Sequence, residues 1–376
     1  MLTMTKKLKI GVVGCGLVAQ VMHLPYLAEL SDLFDLYAIC DISAGVRTAC
    51  AEKYGVSKTF HDWRELIAES VDAVFILSSG SHAPIAIAAA EAGLHVFVEK
   101  PMCFSVAEGR AMIAAAQKAG TVLMIGYNKR YDPAYQRALQ ERSALQDLRL
   151  IKITTLESPF QPYVQQYPLI KSSDIPAEEV SLLQADTSQR LRAAIGDVDD
   201  VSMRAYHLIL LDSMVHEFNT LRGIMGEPET LEFADVQPNC VTAVLGFGET
   251  KCVVTWVDLP GIARYQMEFA FYSPSRRMTL SFPSPFVRNL PTVLSLEGGE
   301  DGGSRAWETR EVTSYQESFK EELNQFYRSV VTGEVPVTSG EDGLRDVALC
   351  EAVIAVHTSR APRPHPTDWQ HRAQDE

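Results

Sequence analysis

Up to about Gly126 the chain alternates short apolar runs with longer amphipathic stretches. Runs at 10–13, 36–40, 71–77, 95–98 and 122–125 have the length and β-branched content of buried strands. Between them, 17–30, 46–54, 63–69, 82–92 and 105–119 have helical length, and Gly55, Gly93 and Gly120 stand where helices stop. Strands alternating with helices at this spacing predict a doubly wound parallel sheet. Ligands of such sheets lie beyond the carboxyl ends of the strands. Here those ends are 14–16, Asp41, 78–82, 99–100 and 127–130.

Beyond Gly126 the pattern changes. A helix is expected at 133–145 and a strand at 148–156. The polar, acidic stretch 160–205 has little periodicity and reads as loops with one short helix near 186–194. A strong helix at 206–225 is closed by Gly226 and Pro228. Alternating segments at 231–236, 241–247, 252–258, 265–272 and 278–282 then predict an open, largely antiparallel sheet, with hairpin connections at 249–251 and 273–275. The glycine-rich stretch 297–304 reads as a surface loop, and 315–331 and 343–359 as closing helices. The polar, proline-containing tail beyond Ala361 is expected to be loosely held. The fold class is therefore α/β, with a doubly wound parallel-sheet domain at 1–126 and a second α/β domain at 127–376.

Composition narrows the function classes. With 376 residues, 46% of them hydrophobic, the chain can build two real cores. A net charge of −14 argues against nucleic acid or an anionic membrane surface as partner. Seven cysteines without a Cys-x-x-Cys pair offer no metal framework and suit a reducing compartment, cytoplasm being the default. The lysines at 6, 7 and 9 before an apolar run could open a secretory signal, but the glycines that break the run favour a strand. No apolar stretch reaches the roughly 18 residues of a membrane span.

Three places carry chemistry. Gly14-Cys15-Gly16 breaks the first strand, and Leu17 and Val18 open a helix. Gly14 permits the tight turn, Gly16 lets the backbone approach a pyrophosphate, and Ala19 is small enough for the helix to lie close on the strand. Asp41, 22 residues past Ala19, can accept hydrogen bonds from the adenosine ribose and would repel a 2′-phosphate, although it also suits a helix cap. Arg47, about a turn further on, is the feature that could instead favour NADP. Glu99-Lys100-Pro101 follows the fourth long strand, with Pro101 fixing the turn. Lys100 there points toward the nicotinamide end of a cofactor or is simply a solvated lysine. Asp212 and His216, four residues apart on the strong helix, share a face that Asn219 and Gly223 continue as a polar stripe.

The ordered set Gly14-x-Gly16-x-x-Ala19, Asp41, Glu99-Lys100-Pro101, residues 127–133 (Tyr-Asn-Lys-Arg-Tyr-Asp-Pro) and Asp212-x-x-x-His216 resembles the glucose–fructose oxidoreductase / inositol dehydrogenase (Gfo/Idh/MocA) family. His23-Leu24-Pro25, 79–82 and 341–345 extend the match to nearly the whole chain. The resemblance implies a Rossmann domain and a second domain whose open sheet builds a homodimer or homotetramer. It also implies NAD(P)-dependent chemistry at a sugar, glycoside or cyclitol carbon, with Lys100, Asp212 and His216 as the catalytic set. Expected cofactor contacts are Gly14, Gly16, Leu17, Val18, Asp41, Ser78, His82, Glu99, Lys100 and Asn128. A polyhydroxylated substrate is expected to meet Lys100, Arg130, Tyr163, His207, Asp212 and His216, with Tyr167 and Lys171 at the border. Lys100 and His216 lie in opposite domains, so domain closure is expected to be needed to bring them together. Asp41 favours NAD over NADP. A glycosidase holding NAD for transient oxidation, and a non-catalytic dinucleotide- or sugar-sensing regulator, are the alternatives on the same fold. Departures from the family pattern fall at 77–79, at 206–211 and in the long stretch 157–212, so substrate identity is less defined than reaction type.

Overall fold

The computed structural model describes residues 6–359; the tail expected to be loosely held lies outside them. Six parallel strands form the first sheet: β1 (Leu8–Val13), β2 (Phe34–Cys40), β3 (Lys58–Phe60), β4 (Ala73–Ile76), β5 (His95–Glu99) and β6 (Leu123–Gly126). Their order, β3-β2-β1-β4-β5-β6, reverses direction at β1, so the crevice beyond β1 and β4 is the switch point where dinucleotides bind. The interior strands are buried on both faces, which explains their near-continuous apolar runs. β3, with only three partly exposed residues, carries no such run and is not foreseen by the hydrophobic pattern.

The second sheet has eight strands: β7 (Leu150–Glu157), β8 (Thr230–Gln237), β9 (Cys240–Phe247), β10 (Thr250–Asp258), β11 (Gln266–Tyr272), β12 (Arg276–Phe282), β13 (Val293–Glu300) and β14 (Arg305–Val312). The order is β14-β13-β12-β11-β7-β10-β9-β8, antiparallel except for the parallel pair β7·β10. Alternate residues of β9, β10 and β12 are buried, so one face packs against helices and the other stays more accessible.

Two expectations need correction. The stretch 297–304 is not a loop: β13 and β14 form a hairpin through the turn Asp301–Gly303. A Cβ at Gly298 would stand 2.4 Å from the Trp307 ring, so the glycine leaves room for that aromatic across the pair. The stretch 160–205 holds three helices, Gln161–Val164, Ala177–Ile195 and Asp200–Ala205. The longest of these buries only Leu191, hence the missing apolar stripe.

The chain finally returns to its first half. In the helix Ser318–Thr332, Phe326 meets Phe75 and Phe97 edge-on, and Tyr327 meets Phe34, covering one face of the parallel sheet. The last helix, Gly340–Thr358, packs on the helices Val106–Ala119 and Val215–Met225. The last helix also touches β6 of the first sheet and β8 of the second, so helices from the end of the chain tie the two sheets together.

Candidate active site

The first wall of the cleft is the glycine turn. Gly14 has φ +96°, and a Cβ on it would lie 2.5 Å from the Ser78 Cα and nitrogen, so only glycine lets the loop after β4 come this close. A Cβ on Gly16 would meet no protein atom; that residue faces open space. Ala19 is fully buried in the helix that follows. Beyond the turn lies a cavity of about 840 Å³ lined by Gly14, Gly16, Leu17, Asp41, Ser43 and Ser78, among others. The glycine turn, the open approach at Gly16 and the helix start after it fit the pyrophosphate of a dinucleotide. Asp41 accepts from the Cys15 N–H at 2.7 Å and the Ser43 N–H at 2.8 Å, and it lines this cavity. The Arg47 guanidinium donates to the Asp41 carbonyl oxygen and does not line the cavity.

This groove meets a second cavity of about 440 Å³, which shares Leu17 and Phe160 with it. Lys100, Asp212 and His216 all line the second cavity. Lys100 follows β5, and its peptide to Pro101 is cis. The Lys100 ammonium donates to the Asp212 carboxylate and to the Asp212 carbonyl oxygen, both at 2.6 Å. Asp212 sits in a widened, π-helical stretch, Tyr206–Met214, which passes into an ordinary α-helix at Val215. Burial works against the Lys100 charge, but Asp212 more than offsets it and holds the ammonium above its ordinary pKa. Lys100 in turn holds the Asp212 carboxyl below the usual carboxylate range. His216 is driven well below 6.5, first by burial and then by the charges of Lys129 and Lys100. Its Nδ1 is buried without a hydrogen-bond partner. The cavity therefore presents a charged ammonium and a neutral imidazole together.

The description "Oxidoreductase family, NAD-binding Rossmann fold" (GFO_IDH_MocA) matches residues 8–127. Over 352 residues the chain is 28% identical to the myo-inositol 2-dehydrogenase of Thermotoga maritima, covering 89% of this chain and 92% of that protein. Residues 8–127 thus carry the NAD-binding Rossmann fold of that oxidoreductase family. A crystal structure of a probable dehydrogenase from Thermotoga maritima superposes with a TM-score of 0.67 at 26% identity, covering 94% of this chain and 98% of that one. A levoglucosan dehydrogenase in complex with NADH and levoglucosan shares the fold with a TM-score of 0.73 at 18% identity, over 95% of this chain and 98% of that one. The matched family is one of oxidoreductases with an NAD-binding Rossmann fold, and the glycine turn and Asp41 lie within the matched residues.

Leu17, Val18, Glu99, Asn128 and Tyr163 also line the inner cavity. The Glu99 carboxylate is mainly a support: it binds the buried His23 ring at 2.6 Å and accepts from the Lys100 N–H at 3.0 Å. The Asn128 amide donates to the Ser318 hydroxyl at 2.8 Å, tying β6 to the returning helix.

Three residues expected in the site stand elsewhere. Arg130 is buried away from the cavity, donating to the Asn219 carbonyl oxygen at 3.2 Å and paired with Asp342 at 3.5 Å. Asn219 is itself buried and bonded to Asp342 and Asp346, so the polar stripe through Asn219 and Gly223 is a packing face rather than a solvated one. His207 turns to the Phe104 ring and does not line the cavity. His82 lies between the carbonyl oxygens of Ser78 and Pro101, at 2.7 and 2.8 Å, joining the cofactor loop to the Lys100 turn from behind.

Sequence reasoning passed over Lys129, Glu157, Trp256 and Tyr265, which line the inner cavity. Lys129 is buried, and burial lowers its amine to about 8 despite the opposing pull of Glu217. Burial likewise raises the Glu157 carboxyl. Lys129 was visible in the 127–133 motif, but which of its two adjacent cations faces the cleft depends on the turn Asn128–Tyr131.

Proposed function

We propose that this chain is an NAD-dependent dehydrogenase or reductase that moves hydride between nicotinamide and a secondary alcohol or ketone carbon of a sugar, glycoside or cyclitol. One observation carries the reading: the Lys100–Asp212 pair and a neutral His216 line a single cavity that opens onto the glycine-turn groove.

The dinucleotide, when bound, supplies the hydride acceptor or donor. The remaining chemistry belongs to the protein. Oxidation of a CH–OH group also requires its hydroxyl proton to leave, and an imidazole held neutral can take it. Lys100, kept charged by Asp212, donates a hydrogen bond to the same oxygen as negative charge develops there. Asp212 aims that ammonium through two bonds of 2.6 Å and has acceptor capacity left for a substrate hydroxyl. Lys129, Glu157, Tyr163 and Tyr265 add donors and acceptors, while Trp256 and Phe286 supply aromatic walls. A polar lining with ring-sized aromatic surfaces suits a polyhydroxylated ring better than a simple alcohol. Asp41 on the ribose side supports NAD. The partly accessible face of the eight-stranded sheet supports assembly into a homodimer or homotetramer.

The test is purified protein with NAD or NADP against cyclitols, aldoses and glycosides, followed by nicotinamide absorbance. Turnover confined to aliphatic alcohols would overturn the substrate class. A kcat/KM higher with NADP would overturn the cofactor choice.

A further inference from the structure

Asp174 belongs to the strand-free stretch between the helices Gln161–Val164 and Ala177–Ile195, far along the chain from the glycine turn. Its carboxylate nevertheless sits at the start of the helix Ala44–Tyr54, directly after β2. One oxygen accepts from the Ser43 hydroxyl at 2.6 Å and the other from the Gly45 N–H at 2.7 Å. The stretch is pinned again at Ile170, whose N–H and carbonyl exchange hydrogen bonds with the Gln20 amide at 2.8 and 3.0 Å. The fit is close: a Cβ on Gly45 would stand 2.8 Å from the Ser172 hydroxyl oxygen. Residues 169–172 and Ile175 thereby form part of the wall of the nucleotide groove, and Asp174 stands just behind that wall, joined to it through the lining residue Ser43.

Ser43 consequently stands between two carboxylates. Asp41 accepts from its N–H, and Asp174 from its hydroxyl. With an adenosine ribose at Asp41, a phosphate on the 2′ oxygen would need nearby donors and cations. The Gly45 N–H and the Ser43 hydroxyl are already taken by an anion. Arg47 is engaged by the Asp41 carbonyl oxygen and Arg64 is paired with Asp62 at 3.1 Å, leaving the exposed Lys171 as a cation of this wall, three residues from Asp174. We propose that Asp174 is a specificity-determining residue: reaching in from the second half of the chain, it takes up the helix-start donors behind Ser43 and by its charge disfavours a 2′-phosphate on the adenosine ribose, while leaving the ribose hydroxyls free to bind. The bonds from Ser43 and Gly45 hold its carboxyl down to about 2, so it is charged at any working pH. The inference rests on the reading of this groove as an NAD site.

The experiment compares the full-length protein with Asp174→Asn, which keeps the shape and an accepting oxygen, and Asp174→Ser, which vacates the position. Calorimetry at low salt gives dissociation constants for NAD, NADP, 5′-AMP and 2′,5′-ADP. The unmodified protein should favour NAD and 5′-AMP. In both variants NADP and 2′,5′-ADP should tighten by about tenfold or more, the scale on which one nearby unit charge acts. NAD and 5′-AMP should stay within about twofold over the same comparison. If the unmodified protein favours NAD but neither variant changes the NAD-to-NADP ratio, the role given to Asp174 is wrong while the NAD reading stands. Equal weakening of all four ligands would also overturn it, because the carboxylate would then only hold the segment in place. An unmodified protein that prefers NADP would remove the NAD reading and the inference with it.

Discussion

Replacing His216 by alanine separates a proton acceptor from a packing residue. Its Nδ1 has no hydrogen-bond partner, so truncation leaves no protein donor or acceptor orphaned there. The packing it loses includes an edge-on contact with the Tyr127 ring, centroids 6.1 Å apart. Such a contact is worth about 0.5–1.5 kcal/mol, so the melting temperature should fall by only a few degrees, at about 2–4 °C per kcal/mol. Loss of a positioned base should instead lower kcat by roughly 10²–10⁴, equivalent to about 3–5 kcal/mol of barrier. The assay is steady-state turnover on the best substrate from the panel, beside thermal unfolding and NAD affinity of the same samples. A native-like melt and unchanged NAD binding with a hundredfold loss of kcat is the expected result. A large drop in melting temperature with turnover per folded molecule intact would return His216 to the core and remove the base from the mechanism.

Lys100→Ala should lower kcat by at least roughly 10²–10³, the usual worth of an oxyanion donor, and initial rates at saturating NAD check this. Lys129→Met should raise the substrate KM by about tenfold, the scale of a lost charge-assisted bond. It should also remove a decline in kcat/KM above pH 8, because the Lys129 amine, lowered to about 8, is charged below that value and neutral above it. For oxidation, the acidic limb of the kcat/KM profile should lie well below pH 6.5, since His216 is the active base only above its own depressed pKa. A limb centred at 6.5 would contradict the burial and cationic neighbours assigned to it. Arg130→Ala should destabilise the protein by about 1–3 kcal/mol, the scale of a lost charge-assisted bond to the Asn219 carbonyl oxygen, since Arg222 still pairs with Asp342 at 3.1 Å; kcat per folded molecule should be preserved, as unfolding curves and rates together would show.

Much of this arrangement is legible in the sequence because backbone geometry and hydrophobic period leave local marks. Glycines at 14 and 16 mark a turn, the interior strands carry near-continuous apolar runs, and Asp212 and His216 are spaced along one helix. The helix Ala177–Ile195 is not legible, because a helix that buries one leucine has no stripe to read. The pair β13 and β14 is hidden by Gly298 and Gly299, which look like a loop until the Trp307 ring is placed across from them. Arg130 and Lys129 show the deeper limit. Adjacent cations after β6 are equivalent in a list, and only the partners Asn219 and Asp342 show that Arg130 is structural while Lys129 lines the cleft. Asp174 leaves no local signal, since its partners Ser43 and Gly45 lie about 130 residues away.

The most direct test is a single-turnover mixture of enzyme, NAD and a responsive cyclitol or sugar, deuterated at the oxidised carbon, for the unmodified, Lys100→Ala and His216→Ala proteins. If both side chains act on one substrate oxygen, all three proteins bind NAD alike, only the unmodified one forms reduced nicotinamide rapidly, and the deuterium appears on it. Rapid reduction by either variant, or NAD bound by the unmodified protein without reduction by any polyol or sugar, would contradict the account.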